Sequence, residues 1–551
     1  MQRLNIFSIS KTFALTAIAL ALHVGVLCPL QAETGKVDTS ALLTANQALG
    51  EGEALEAGRQ WRDAIRLYEA ALEKFPEDDG LTYALRRTRV HFGIERRYAD
   101  NSFEKQMLTL SRSESLDLLE DVLGRVQTEY VDPITATKFV AHGTESFYMA
   151  LGNSQFLAKH FQNADRSSIE AVRQRLIQSF WNRRIGSRVE ARMTISEACD
   201  LAADKLNLAG SVVVMEYLFG GCNALDDYSN FLTPDSYNDL FGSIQGEFVG
   251  IGIEMEASKG KGMELMNVLL DSPAESGGLR PGDFIVEIDG RNCRDFSTDE
   301  AARLLRGTQG SRVNLKFEDP DGRLSESQLI RRPVRIKSVT RALILDDTTG
   351  VGYIRMTGFQ NTTEDEMEEA LRRLERLGMK SLIWDLRGNP GGLLDTAAAV
   401  IDRFIEDGVL VSTEGRSYDQ TQVFRARSYN TRRMPLVLLV DEGSASASEI
   451  VAGAIKDHGR GTIVGRKTYG KWSVQSIIHL PGGTGLKLTT AKFFSPNHMN
   501  YAGKGLQVDE HVSTAGINRS TMFRGKTSGE IVLDPDVARG LELLERQFAR
   551  K

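Results

Sequence analysis

The chain is poor in the residues that most often build metal and redox sites. Among 551 residues there are 8 histidines and 4 cysteines. No pair of them has metal-ligand spacing, and H-E-x-x-H is absent, so neither a metal nor any other cofactor is expected. The G-x-S-x-G elbow, in which a hydrolase serine meets a histidine base, is also missing. Its one prominent glycine loop is not followed by Gly-Lys-Ser/Thr, which argues against a phosphate cradle. Basic residues form no block, and with a formal net charge of -7 nucleic acid is not an expected partner. A long apolar run occurs at Thr12–Leu27, after Arg3 and Lys11 and before Leu30-Gln-Ala32. That pattern reads as a signal peptide over residues 1–32, directing export to the periplasm or cell envelope; a retained anchor is the alternative. Peripheral association with a membrane is a related expectation. Leu27 is too bulky to precede a lipidated Cys28, and cleavage would leave Cys199, Cys222 and Cys293, an odd set that implies no disulfide framework.

What is present is a serine cluster followed by a glycine-flanked lysine. Pro435-Leu-Val-Leu-Leu-Val440 is a buried-strand run, Asp441-Glu-Gly443 turns the chain, and Ile450, Val451, Ala454 and Ile455 recur at helical spacing. Ser446 therefore opens a helix, where free N–H groups and the helix dipole favour an oxyanion. The plain alternative is that these serines cap the helix. Lys471, in Tyr469-Gly-Lys-Trp-Ser-Val-Gln475, falls at a loop-to-strand junction, and a period of two sets Lys471, Ser473, Gln475 and His479 on one face. A lysine is a base only when neutral, which takes burial or nearby positive charge; a solvated loop lysine is the competing reading. His458 ends the helix that Ser446 begins, about 18 Å away at the helical rise. His479 stays open as a rival base, about 13 Å along the strand from Gln475. In Ser381-Leu-Ile-Trp-Asp-Leu-Arg-Gly-Asn-Pro-Gly-Gly-Leu-Leu394, a strand runs into a loop where Gly391 and Gly392 let a backbone amide approach a carbonyl.

In this order, D-L-R-G-N-P-G-G-L-L, E-G-S-A-S-A-S-E, Y-G-K-x-S-V-Q and L-K-L-T-T-A-K-F-F-S-P resemble the C-terminal processing peptidases, or tail-specific proteases, over about residues 210–512. The resemblance implies Ser446 as nucleophile, Lys471 as general base and Gln475 as the residue orienting it. It implies oxyanion donors at the amides of Gly391 or Gly392 and Ala447. Trp472 stands where the family usually has a small residue, and a bulky ring there is expected to narrow the active-site mouth or help desolvate the amine. Val508 replaces a proline in Gly503-Lys-Gly-Leu-Gln-Val-Asp509.

The rest of the chain divides around that core. Phe248-Val-Gly-Ile-Gly-Ile253 is a glycine-interrupted strand, Leu279–Gly290 a strand between turns, and Ser297-Thr-Asp-Glu300 a capping box opening a helix over Ala301–Arg306. These elements resemble a PDZ domain, with Val249, Gly250, Ile251 and Gly252 as the loop that holds a peptide carboxylate; a β-domain acting as a spacer is the alternative. Ala48, Gly52, Leu55, Trp61, Ala64, Tyr68, Ala71 and Pro76 fit one tetratricopeptide repeat, which must pack on further helices or a partner, such as an adaptor. Leu116, Leu119, Val122, Leu123 and Val126 make one helical stripe; a polar insertion over Thr135–Thr194 has no functional reading; Asp226–Pro234 resembles the family's linker. Gly350–Met356 reads as a strand and Thr362–Leu377 as a helix burying Met367, Ala370, Leu371, Leu374 and Leu377.

The expected architecture is multidomain α/β. It comprises a signal (1–32), TPR-like helices (33–110), a helical lead-in with the insertion (111–241) and a mainly-β PDZ domain (242–325). An α/β peptidase core (326–515) of crotonase or caseinolytic-protease type and a C-terminal tail with a helix (516–551) complete it. The expected function is an exported serine endopeptidase acting on proteins with apolar C-termini. An inert PDZ/TPR scaffold and a crotonase-like acyl-CoA enzyme are the alternatives.

Overall fold

The N-terminal helices follow from their caps. Thr44 and Gln47 form a capping box on helix Ala45–Ala57, Trp61–Lys74 follows, and Asp78 caps Asp79–Tyr98 through the Leu81 N–H. Ala48, Ala64, Leu67, Tyr68, Ala71, Leu81 and Ala84 close a small core between them. Two helices cannot bury such a face alone; Val90, Ile94 and Tyr98 carry the third into a larger helical core. Four of the five arginines of that third helix make ion pairs, Arg86 with Glu145, Arg87 with Glu56, Arg89 with Glu69 and Arg97 with Glu216, and Arg96 lies over the Phe92 ring. The computed structural model describes residues 44–161, 165–269, 271–346, 348–427, 430–513 and 528–549. The expected signal segment lies outside them.

Residues 135–194 are not a polar insertion. Helices Ala136–Ala150, Ser154–His160, Arg166–Ser179 and Arg188–Leu206 build part of the main helical core, and Phe139, Phe147 and Phe156 are wholly buried in it. Most of their charged residues lie on outer faces, which hid the apolar stripes, while Thr144, Glu145, Ser146 and Thr194 are buried. Glycine brings Ala136–Ala150 against helix Gly210–Cys222: a Cβ on Gly220 would stand 2.4 Å from the Ser146 Cβ.

The chain forms two compact units. The first comprises residues up to Asn238, Arg341–Thr357 and Arg373 onward; the second comprises Asp239–Thr340 and Gly358–Arg372. In the first, Val351–Met356, Ser381–Asp385, Leu436–Val440, Thr462–Gly465 and Glu510–His511 pair in parallel, in that order. The middle strands are apolar throughout and buried, as a sheet covered on both faces requires. Helix Pro535–Ala549 covers one face, with Val537 and Leu544 joining Ile383, Val437, Leu439 and Val464 in one cluster. A second, antiparallel sheet takes Asn230–Leu232, Val409–Gly415, Gln422–Arg425, Ser473–His479 and Gly485–Phe494. Helix Thr363–Arg376 buries Met367, Ala370, Leu371 and Leu374 as expected, but Leu377 lies past its end and is 64% exposed. Cys199, Cys222 and Cys293 are free and buried.

The second unit is mainly β. Ile253–Ser258, Gly262–Val268, Phe284–Ile288, Arg312–Glu318 and Leu324–Ile330 form an antiparallel sheet with Ile253–Ser258 at one edge. Ser297 and Glu300 form the expected capping box, and the helix it opens is Thr298–Leu305. The sheet runs beyond residue 325, and a further ladder joins Glu247–Gly250 to Arg332–Arg335.

Candidate active site

Three neighbouring parallel strands, Ser381–Asp385, Leu436–Val440 and Thr462–Gly465, release their following loops at the same carboxyl edge, where α/β sheets gather ligands. Those loops carry Gly391, Ser446 and Lys471. Ser446 opens helix Ala447–Asp457 with φ 55° and ψ -114°, a backbone state that costs on the order of 1–3 kcal/mol for a residue with a Cβ. Its hydroxyl does not cap the helix. The Oγ is buried and makes no hydrogen bond among the described residues, and Glu449 accepts the Ser446 N–H at 2.9 Å instead. The capping reading holds for neither neighbour, since Ser444 donates to the Leu386 carbonyl at 2.8 Å and Ser448 to that of Asn389 at 2.9 Å.

The glycine loop lies directly on this turn. A Cβ on Gly391 (φ 103°) would come within 2.8 Å of both the Ser446 Cβ and the Ala447 nitrogen, so only glycine fits. Asn389 braces the loop, accepting the Ala445 N–H at 3.1 Å and donating to the Met356 carbonyl at 2.9 Å. It also accepts the Gly391 N–H at 2.9 Å. That bond corrects one expectation: the Gly391 amide is already engaged and is no oxyanion donor. Gly392 follows with φ 153°. At the helix start the Ser448, Glu449 and Ile450 N–H groups donate to Ala445 or Ser446 carbonyls, and the Ala447 N–H precedes them among the helix's free donors.

Lys471 is 2% exposed, so the solvated-loop reading fails. Its backbone N–H donates to Glu449 Oε2 at 2.8 Å. The other carboxylate oxygen, Oε1, accepts from Thr468 at 2.6 Å, Gly470 N–H at 2.7 Å and the Trp472 indole at 3.1 Å. Burial pushes the Glu449 carboxyl pKa up against the pull of these donors. Glu449 thus ties the Ser446 turn to the Lys471 loop, a role not read from the sequence. The signal was present in the S-x-x-E spacing of a capping box, with Glu449 three residues after Ser446. Trp472 does not line a mouth: it is 1% exposed and stacks on Phe493 with centroids 4.6 Å apart.

Gln475 is buried and donates to Ser473 at 3.0 Å and Thr489 at 3.2 Å, while its Oε1 has no partner among the described residues. A bulge between Val474 and Gln475 breaks the period-two face expected through His479. His479 is exposed at the strand's far end, 5.4 Å from the Tyr237 ring. His458 is held on the Val409 carbonyl at 2.7 Å. Neither histidine is brought to Ser446.

Beneath the loops runs a buried ionic network. Arg387, just before the glycine loop, pairs with Asp385 at 2.8 Å, Asp534 at 2.8 Å and Asp536 at 2.6 Å. Asp536 also binds Arg466, at the root of the lysine loop, at 2.6 Å. Burial works to raise the Asp385 carboxyl, but Arg387, Arg355 and the Tyr353 hydroxyl outweigh it and hold it well below the usual carboxylate range. Asp534 and Asp536 lie 147 and 149 residues from Arg387, so no local pattern marks the pairing.

The expected peptide-carboxylate loop belongs to the second unit. Val249 and Gly250 lie in a strand laddered to Pro333 and Arg332, so the turn narrows to Ile251 and Gly252, the latter at φ 82°. Among the described residues no cluster of His, Cys, Asp and Glu could hold a metal ion.

Residues 350–512 match Peptidase family S41, and residues 265–319 match the PDZ domain. The first span contains Gly391, Gly392, Ser446, Ala447, Lys471 and Gln475; Val249–Gly252 lie upstream of the second. The carboxyl-terminal-processing protease of Synechocystis is 36% identical over 290 residues, 52% of this chain and 68% of that protein. That of Picosynechococcus is 34% identical over 310 residues, 54% of this chain and 72% of that one. The chloroplastic carboxyl-terminal-processing peptidase 3 of Arabidopsis thaliana is 32% identical over 308 residues, 54% of this chain and 59% of that protein. A solved photosystem II D1 C-terminal processing protease aligns over 74% of this chain and 94% of its own, at 25% identity and a TM-score of 0.39. The chain, a mixed α/β protein with a PDZ domain, belongs to the carboxyl-terminal-processing proteases of peptidase family S41, which are serine-type peptidases.

Proposed function

We propose that this protein is an exported endopeptidase that captures proteins by apolar C-terminal tails and cleaves them with Ser446 and Lys471. The observation that carries the reading is the Ser446 hydroxyl, buried, without a hydrogen bond among the described residues and held on a strained backbone at a helix start. Lys471 takes the hydroxyl proton as Oγ bonds to the scissile carbonyl carbon. The oxyanion that forms is received by the N–H groups of Gly392 and Ala447. As the C–N bond breaks, Lys471 returns the proton to the leaving amine. Water, deprotonated by the same lysine, then releases the acyl group. Gln475 Oε1, with no partner among the described residues, suits an acceptor role toward the lysine amine in one of these states.

Tail capture draws on the second unit. Strand Ile253–Ser258 lies at a sheet edge, where an extended peptide can add as a further strand. The Ile251–Gly252 turn precedes that strand and suits a terminal carboxylate. Export rests on the charged start and the apolar run Thr12–Leu27.

The test is cleavage of an unfolded reporter bearing an apolar C-terminal tail, with the Ser446→Ala variant and a charged-tail reporter as controls. Loss of cleavage in the variant and weaker cleavage of the charged tail are expected. An unchanged rate for Ser446→Ala would sink the assignment, and silence from both proteins with no labelling by a serine-reactive probe would favour a scaffold.

A further inference from the structure

The Lys471 side-chain nitrogen, on a residue 2% exposed, sits 4.7 Å from the centroid of the half-buried Tyr228 ring, within cation–π range. The fold holds the backbone on both sides of that ring. Ahead of it, the Asp226 N–H donates to the Tyr130 hydroxyl at 2.9 Å. Behind it, the Ser229 hydroxyl accepts the Thr489 N–H at 2.9 Å, and Asn230–Leu232 pairs with Gly485–Phe494. Thr489 in turn receives Gln475. A ring fixed before the reaction costs no reorganisation when charge appears beside it.

We propose that Tyr228 is a positioning residue for the reaction, whose ring face stabilises the lysinium formed when Lys471 takes the Ser446 proton. This rests on Lys471 being the base. In a histidine-based triad a carboxylate supports the charged base; here Glu449, the carboxylate tied to this loop, has both oxygens engaged by backbone, hydroxyl and indole donors. The other titratable groups on the surrounding elements include Asp226 and Asp227 on the Tyr228 segment, Tyr130 bonded to that segment, Tyr469 on the lysine's own loop, Lys487 and Lys492 on the paired strand, His479 on the lysine's own strand, and Tyr501 against Trp472. Asp227 is turned to Arg89 at 3.2 Å.

The ring favours the charged amine, whereas burial favours the neutral one. Removing the ring therefore lowers the lysine pKa and weakens it as a base. In Tyr228→Leu the rising limb of the kcat/KM profile should move to lower pH by about one unit, with a plateau lower by up to about tenfold. Tyr228→Phe, which keeps the ring face, should match the parent in both. Increasingly fluorinated phenylalanines at position 228 keep the shape while draining the ring's negative face, and should shift the limb stepwise to lower pH. They also keep the question answerable should the leucine variant not fold. A limb that stays fixed across the fluorinated series overturns the proposal, as does a Tyr228→Phe variant impaired like Tyr228→Leu. Lys471→Ala is measured alongside: if it retains the parent rate, the failure lies with the base assignment rather than with Tyr228.

Discussion

Ser446 and Lys471 donate their backbone N–H groups to the same atom, Oε2 of Glu449, at 2.9 and 2.8 Å. One buried carboxylate oxygen thus sets the distance between the turn of the serine and the loop of the lysine. Glu449→Ala should leave these donors unsatisfied, each at about 1–3 kcal/mol, and lower both the melting temperature and kcat. Glu449→Gln keeps one acceptor oxygen and should fall between the two in calorimetry and in single-turnover assays. Equal kcat in all three proteins would show that the tether does not matter to the chemistry.

Gly391→Ala adds one methyl group where 2.8 Å separates it from the Ser446 Cβ. Because the loop must retreat, kcat should drop by about 10²–10³, the usual loss for a damaged oxyanion site. KM for the tail should stay near its parent value, and steady-state kinetics on a tailed reporter will read both.

Ser446→Ala and Lys471→Ala should each abolish turnover in a folded protein, while His479→Ala keeps most of it, since that ring is exposed and packs on Tyr237. A dead His479→Ala enzyme with normal circular dichroism would count against the lysine.

Asp536→Asn removes a charge shared by Arg387 and Arg466. Breaking one side of a buried ionic cluster typically costs about 3–5 kcal/mol. A clear fall in urea midpoint is expected, and labelling of Ser446 by a fluorophosphonate should slow, because both arginines root loops of the site. Asp536→Glu should recover more of the labelling than of the stability.

Acid should weaken the helical region before the ionic cluster. Burial, helped by Arg86 and Lys138, pushes His142 down to about 4, and burial with Lys159 does the same for His160, again to about 4. Both stay neutral in the fold while the unfolded chain takes up protons below about pH 6.5. Their stabilisation is complete above that pH and is lost as pH falls toward about 4. Asp385, depressed by its arginines, behaves similarly at lower pH: its contribution is present above the ordinary carboxylate range and fades only below it. Thermal midpoints from pH 7 to 4 should decline, and His142→Gln with His160→Phe should flatten the curve.

Local spacing was enough to set Ser446 at a helix start and Lys471 at a loop-to-strand junction, because each sits where an apolar strand ends in a glycine turn, a signal carried within about ten residues; the contact of Gly391 with the Ser446 turn was not legible there. The strand Phe284–Ile288 and the capped helix of the second unit were legible for the same reason, whereas the edge strand Ile253–Ser258 was not. Three further features were not. The bulge at Gln475 adds no mark to the alternation it breaks. The core contributed by Phe139, Phe147 and Phe156 was masked by the polar faces of its helices. The grip of Asp534 and Asp536 on Arg387 joins residues too far apart for any periodicity to reveal.

That last separation imposes an order in time. Arg387 emerges from the ribosome 149 residues ahead of Asp536, an interval of roughly 7–30 s at ordinary rates of synthesis. Until then the arginines that root the two loops lack the acid that joins them, so the link between the serine and lysine loops through Asp536 closes only after the strands that carry those loops have been made.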